Sequence, residues 1–311
     1  MIHDHPAHAV AAFLVGVLVV TQSRINGQLS SEIGDGLFAA VVSFGLGLLL
    51  LTLLVSFRPE DRRQFGQLRR HVRVGDLSWW MLLGGLGGAT LVAAQGITVP
   101  VIGVALFTVA LVAGQTTNAL VVDHYGLGPR GVAAVTPGRI LGSVLSVCAV
   151  VVAVSGRLGS GDFALGLIVF VAVAGALVAA QQAVNGRVAA TTGRPMVAGL
   201  VNFIAGFVGL LLVWLVVVHH PVTLPSVLGA PWLYLGGPIG VVFIVVAAVV
   251  VRTLGVLIFG MLAVAGQLVG ALVFDVALPT PGSALSWQLV AGILLTFLGV
   301  LVAAWPARNR P

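Results

Sequence analysis

Between Trp79 and Val122 the chain carries no charged residue, and between Trp232 and Phe274 it carries only Arg252. At a helical rise of about 1.5 Å per residue, each stretch is about twice the roughly 30 Å hydrocarbon thickness of a bilayer. Each must therefore fold back on itself, and Gly96 and Pro100 fall where the first helical hairpin would turn. The runs lack the alternation of a membrane strand. In lipid the backbone N–H and C=O groups must be satisfied within the segment, which selects helices. A hydrophobic fraction of 59% against 8% charged residues excludes a soluble domain that covers its surface with charge.

Apolar windows of about 20 residues place ten spans at 7–25, 36–57, 78–97, 99–121, 136–154, 163–183, 196–218, 231–251, 253–275 and 286–305. The fold class expected is an all-α polytopic membrane protein. Arginine fixes the expected orientation, because all fifteen basic residues are Arg. With a cytoplasmic N-terminus, the inner side collects Arg58, Arg62, Arg63, Arg69, Arg70, Arg73, Arg130, Arg139, Arg187, Arg194, Arg252, Arg308 and Arg310, leaving only Arg24 and Arg157 outside. That 13 to 2 division is the positive-inside pattern, with both termini cytoplasmic. The net charge of +6 is therefore read as topology signalling and contact with anionic lipid, with no nucleic-acid partner. Cys148 is the single cysteine, so there is no disulfide framework.

Internal repetition is the most informative pattern. Gln22, Asn26, Gly27, Phe44 and Gly47 recur as Gln181, Asn185, Gly186, Phe203 and Gly206, each 159 residues on. Trp80, Gly84, Gly85, Gly88, Gly114, Gln115 and Asp123 recur as Trp232, Gly236, Gly237, Gly240, Gly266, Gln267 and Asp275, each 152 residues on. The change of seven falls in the basic segment 58–77, expected as a loop. Two repeats follow, 1–157 and 158–311. Five spans each is an odd number, so the second repeat enters the membrane from the opposite side, the inverted arrangement of many secondary transporters.

Polar side chains inside spans are the functional candidates, because each needs a partner or a wet cavity. Gln22 and Asn26 share a helix face, as do Gln181 and Asn185, and both pairs could instead cap helix ends where Asn-Gly turns. Gln115 and Gln267 lie deeper, each after a glycine, and could equally form interhelical hydrogen bonds. Asn118 and Asn202 complete the substrate-binding candidates, with Thr116, Ser43 and Gln95 behind them. Asp123 and Asp275, at opposite ends of the bundle, are candidates for gating or coupling, or are simply solvated helix ends. Arg24 could meet an anion or snorkel to the interface. His3, Asp4, His5 and His8 lack a metal site's supporting residues, His219 and His220 read as a solvated pair, and no motif for ATP hydrolysis or proteolysis occurs. No metal or cofactor is expected.

Ten spans in about 300 residues, the paired repeats, and the motifs Thr21-Gln22-Ser23-Arg24-Ile25-Asn26-Gly27 and Gln181-Gln182-Ala183-Val184-Asn185-Gly186 resemble the drug/metabolite transporter superfamily, and within it the YdcZ-like inner-membrane exporters in double-length form. The resemblance implies a bacterial cytoplasmic membrane protein whose central cavity is lined by the first four helices of each repeat. It implies packing or homodimer contacts for the fifth and tenth. Small multidrug-resistance relatives use an acidic residue deep in their first helix; residues 7–25 contain none, which argues against proton-coupled drug antiport. The function expected is secondary transport of a small solute by alternating access. The competing readings are a membrane-embedded enzyme, which would need a titratable cluster at one depth, and an assembly protein without transport.

Overall fold

A computed structural model describes residues 6–129, 131–132, 135–155, 165–218, 221–226, 230–279 and 285–304, with backbone alone at 248–249, 251–258 and 304. His3, Asp4, His5, His219, His220, Arg130, Arg157, Arg308, Arg310 and the Arg252 side chain lie outside the described residues. The helices are α1 (Pro6–Ile33), α2 (Gly36–Ser56), α3 (Pro59–Arg73), α4 (Gly85–Ile102), α5 (Val104–His124), α6 (Pro137–Ser155), α7 (Leu165–Thr192), α8 (Pro195–Val217), α9 (Gly236–Ala277) and α10 (Trp287–Ala304). Short 3-10 turns, Trp79–Leu83 and Pro231–Tyr234, lead into α4 and α9. Among the described residues eight segments are long and apolar enough to cross a bilayer, and Gly236–Ala247 and Trp287–Ala303 are shorter apolar helices. The chain is a polytopic helical membrane protein.

Local chemistry sets the boundaries. α1 runs past Asn26 and Gly27 and stops at Gly34, whose φ of 78° suits glycine alone at a helix end. Gly193 ends α7 in the same way at φ 66°, 159 residues later. Asp35 then caps α2, its carboxylate accepting from the Phe38 N–H at 2.9 Å and from the Trp214 indole at 3.2 Å. Pro195 starts α8 at a position where no N–H is needed. Gly103, at φ 78°, separates α4 from α5.

α9 is helical on both sides of a reversal. Gln22 and Asn26 of α1 meet Gly240 and Gly236, whereas Phe13, Gly16 and Val17 meet Ala263, Gly266 and Gly270. A straight helix would separate Gly236 from Gly266 by about 45 Å, but Asn26 and Phe13 are only about 20 Å apart along α1. The N-terminal part of α9 therefore runs against α1 and the C-terminal part with it. The turn falls between Val250 and Phe259, both of which pack around Ala12. Gly255 lies in that interval, 152 residues after Gly103. The expected second hairpin is thus present, its arms being the two ends of α9.

Segment 58–77, expected as a loop, contains α3 instead. Pro59 opens it, Glu60 and Asp61 sit in its first turn and Arg70, His71 and Arg73 in its last, all favourable to the helix dipole. Windows tuned to apolar runs miss such a helix because only a narrow face is buried. That face carries Leu68, which packs with Leu77, Met81, Val188 and Val197. Arg194, just ahead of α8, pairs with Glu60 and Asp61, while Arg62, Arg63, Arg69, Arg70 and Arg73 stay exposed. Leu68→Ala is expected to loosen α3 at a cost of about 2 kcal/mol, measured as a lower unfolding temperature in detergent.

The largest core cluster is built on α5, whose Leu106, Phe107, Val109 and Leu111 pack with Ala149 and Ala153 of α6, Val171 and Ala174 of α7, and Leu268 of α9. α6 and α10, the expected fifth and tenth spans, pack on each other through glycine: Gly142 faces Gly299 and Ala303, and Gly292 faces Ala149 and Ala153.

Candidate functional site

The contacts that join the two halves of the chain come in matched pairs. Gly237 sits against the Ser43 carbonyl and the Gly47 N–H, and Gly85 sits against the Asn202 carbonyl and the Gly206 N–H. Gly16 lies on Ala263 and Gln267 of α9, and Gly175 on Leu111 and Gln115 of α5. Gly266 lies on Phe13 and Val17, and Gly114 on Ala172 and Ala176. Every pair is related by the same displacements of 159 and 152 residues read from the sequence. α1 is held by the two arms of α9, and α7 by α4 and α5. α4 and α7 are antiparallel, since Gly84 meets Asn185 and Gly87 meets Leu177.

Within this frame the amides gather in two clusters. In the first, Asn26 donates to Gln95 Oε1 at 2.7 Å, Gln95 donates to Ser23 Oγ at 2.9 Å, and Gln22 donates to the Gly236 carbonyl at 2.8 Å. Asn26 and Gln95 have no solvent exposure, and Gln22 and Ser43 are nearly as buried. Asn26 Oδ1 and Ser43 Oγ both face the Cα of Gly236, and neither has a hydrogen-bonding partner among the described residues. A buried acceptor left unmatched is worth about 1–3 kcal/mol.

In the second cluster Asn202 Oδ1 accepts from Gln181 at 2.6 Å and from Asn185 at 2.9 Å. Gly84 and Gly88 face Asn185 and Gln181 just as Gly236 and Gly240 face Asn26 and Gln22. The GxxxG-like spacing thus admits amide side chains as well as helix backbones. The clusters differ in their third amide. The first takes Gln95 from α4, whose counterpart is Ala247, and the second takes Asn202 from α8, whose counterpart is Ser43. Phe44 and Phe203 pack with ring centroids 5.0 Å apart, and Phe203 stands beside Gly240, the glycine that faces Gln22.

The remaining sequence candidates lie elsewhere. Asn118 donates to the Ala176 carbonyl of α7 at 2.6 Å, and Gln115 is half-buried at the same α5–α7 contact. Gln267 is buried at the α1–α9 contact, its Oε1 without a partner among the described residues. Asp275 accepts from the Val104 and Ala105 N–H groups at 3.1 and 2.9 Å, capping α5, and Asp123 pairs with Arg139 of α6. The structure therefore brings together Gln22 with Asn26, and Gln181 with Asn185 and Asn202. It sets Gln115, Asn118 and Gln267 apart at helix–helix contacts, and it engages the two Asp as a helix cap and an ion pair. Ser23 was missed by the sequence reading; its signal is its place between Gln22 and Asn26, one hydroxyl in an amide-bearing turn.

The site is thus a set of buried amides between the helices of a polytopic membrane bundle. The family model described as "Putative inner membrane exporter, YdcZ" matches the chain over residues 7–152 and 166–302, and the chain belongs to that family. No curated protein matches it. A solved crystal structure is similar across 96% of this chain and 96% of its own, at 18% identity and a TM-score of 0.61, a likeness of fold.

Proposed function

We propose that the chain is a secondary carrier that moves a small solute across the cytoplasmic membrane by alternating access. Its two five-helix repeats, 1–157 and 158–311, are inverted in the bilayer, with both termini cytoplasmic. The observation that carries this reading is the pair of buried amide clusters built on equivalent residues of α1 and α7, Gln22 with Asn26 and Gln181 with Asn185. A bundle whose halves make equivalent contacts can exchange two equivalent arrangements, each opening one side. In this closed centre the unmatched oxygens of Asn26 and Ser43 are the groups a solute would meet first once the phenylalanines part.

The amides and hydroxyls suit a neutral or zwitterionic solute with hydrogen-bond donors. Asp123 and Asp275 act at the two ends of the bundle as fasteners, Asp275 through the α5 N-terminus and Asp123 through Arg139. Flux of a metabolite panel into proteoliposomes tests the proposal. Saturable uptake accelerated by solute loaded on the far side is the expected outcome, and uptake that rises linearly without counterflow would replace the carrier with a channel. Phe203→Ala is expected to speed solute-independent leak severalfold in the same vesicles, because it removes half of the central aromatic pair.

A further inference from the structure

Away from the amide clusters, α1 carries a second polar strip. Arg24, Gln28 and Ser31 lie at i, i+4 and i+7, on one face of the helix. They form one wall of a cavity of about 210 Å³ whose opposite wall is Val99 and Pro100 at the end of α4 and Pro279 beyond α9. That volume is room for a small group and too little for a drug-sized ligand.

One nitrogen of the Arg24 guanidinium is unmatched among the described residues. Arg24 is half-buried, and its Nη1 is fully buried without a hydrogen-bonding partner among the described residues. The other arginines with described partners contrast with it: Arg139 pairs with Asp123, Arg194 with Glu60 and Asp61, and Arg187 donates to the carbonyls of Gly126 and Leu127 at 3.1 and 3.3 Å. Asp275, at the α5 N-terminus on the same end of the bundle, directs both carboxylate oxygens to the Val104 and Ala105 N–H groups. Arginine stays charged at any physiological pH, and a guanidinium nitrogen withdrawn from water favours an anionic acceptor. The strip is also unrepeated, since positions 159 residues on hold Ala183, Arg187 and Ala190.

We propose that Arg24, with Gln28, forms an oxyanion-binding site at one end of the bundle, taking a carboxylate or a phosphate whose apolar remainder rests on Val99, Pro100 and Pro279, with Ser31 at its rim donating to the Gly27 carbonyl at 3.2 Å. The planar fork of Arg24 suits two oxygens of one group, and Gln28 adds a neutral donor one turn along. The oxyanion can belong to a soluble organic acid or to the headgroup of an anionic lipid. The site stands whether or not the protein is a carrier, since binding alone defines it.

The test uses the full chain in phosphatidylcholine nanodiscs, titrated with inorganic phosphate and with butyrate while thermal unfolding is followed. A parallel set of nanodiscs contains phosphatidylglycerol. Wild type is expected to gain a saturable rise in unfolding temperature. Arg24→Gln should abolish it, Arg24→Lys should leave it about tenfold weaker in half-saturation, and Ser31→Leu, an exposed position, should weaken it by filling the cavity. Stabilisation by phosphate or butyrate supports the site with a soluble ligand. Stabilisation by phosphatidylglycerol alone, lost in Arg24→Gln and Ser31→Leu, supports it with a headgroup. Should Arg24→Gln fail to fold, Arg24→Lys and Ser31→Leu decide. Equal responses of the folded variants and wild type to every anion would overturn it.

Discussion

Replacing Gly85 or Gly237 by Ala is expected to keep the chain from a stable, monodisperse fold, with a loss of roughly 3 kcal/mol or more for either change. The magnitude follows from what the new methyl would meet. At Gly237 it would land on the Ser43 carbonyl oxygen and lie 2.5 Å from the Gly47 N–H nitrogen; at Gly85 it would land on the Asn202 carbonyl and lie 2.8 Å from the Gly206 nitrogen. Both obstacles are backbone of the opposite half, so no rotamer change relieves them and the helices must separate. Separation there would also unseat the amide clusters, because Gly236 and Gly84 are the adjacent residues. Gly66 is the control. It lies in α3 with nothing within 4 Å of an added Cβ, so Gly66→Ala should leave the fold intact and raise stability by up to about 1 kcal/mol through helix propensity. Size-exclusion profiles and unfolding temperatures in one detergent separate the two outcomes, and a well-folded Gly237→Ala would mean the halves do not touch where described.

The second large effect concerns function. Asn26→Ala removes the donor to Gln95 and the oxygen that faces Gly236, leaving Gln95 Oε1 buried without that donor. Transport kcat/KM is expected to fall about tenfold to a hundredfold, the value of one or two hydrogen bonds to a bound solute. Gln95→Ala should fall comparably, and the double variant should be little worse than either single one, because the two residues act as one network. Asn185→Ala tests the second cluster in the same way. Normal transport with Ala at Asn26, Gln95 and Asn185 would remove the amide clusters from the solute path, and normal transport with Ala at Gln22, Gln181, Gln115 and Gln267 would dismiss the glutamines.

The polytopic helical class was legible in the sequence because lipid leaves few options. Long uncharged runs must be helices of limited length, and duplicated contacts preserve glycine where two backbones meet. The displacements of 159 and 152 residues relate the contacts that Gly16 makes to those that Gly175 makes, and likewise for Gly114 and Gly266 and for Gly85 and Gly237. Three features were not legible. α3 is polar around most of its circumference and is held by Leu68 and the Arg194 pair, contacts made with distant segments. Asn26-Gly27 reads as a turn, yet α1 continues through it, with Gly27 packed against Val99 and Gln95 and the true stop at Gly34. The partnering of the amides was hidden as well. Gln95 and Asn202 occupy non-equivalent positions, so the repeat that revealed Gln22 and Gln181 gave no hint of which third residue completes each cluster.

Chemical labelling of two matched positions tests the inverted architecture on which the account rests. Ser31 and Ala190 are both exposed near the ends of α1 and α7 and lie 159 residues apart. With Cys148 replaced by Ser, single cysteines at Ser31 and Ala190 would be treated with a membrane-impermeant maleimide in sealed vesicles of known orientation. Ser31→Cys is expected to react from the periplasmic side alone and Ala190→Cys from the cytoplasmic side alone. Reaction of both from the same side would contradict it.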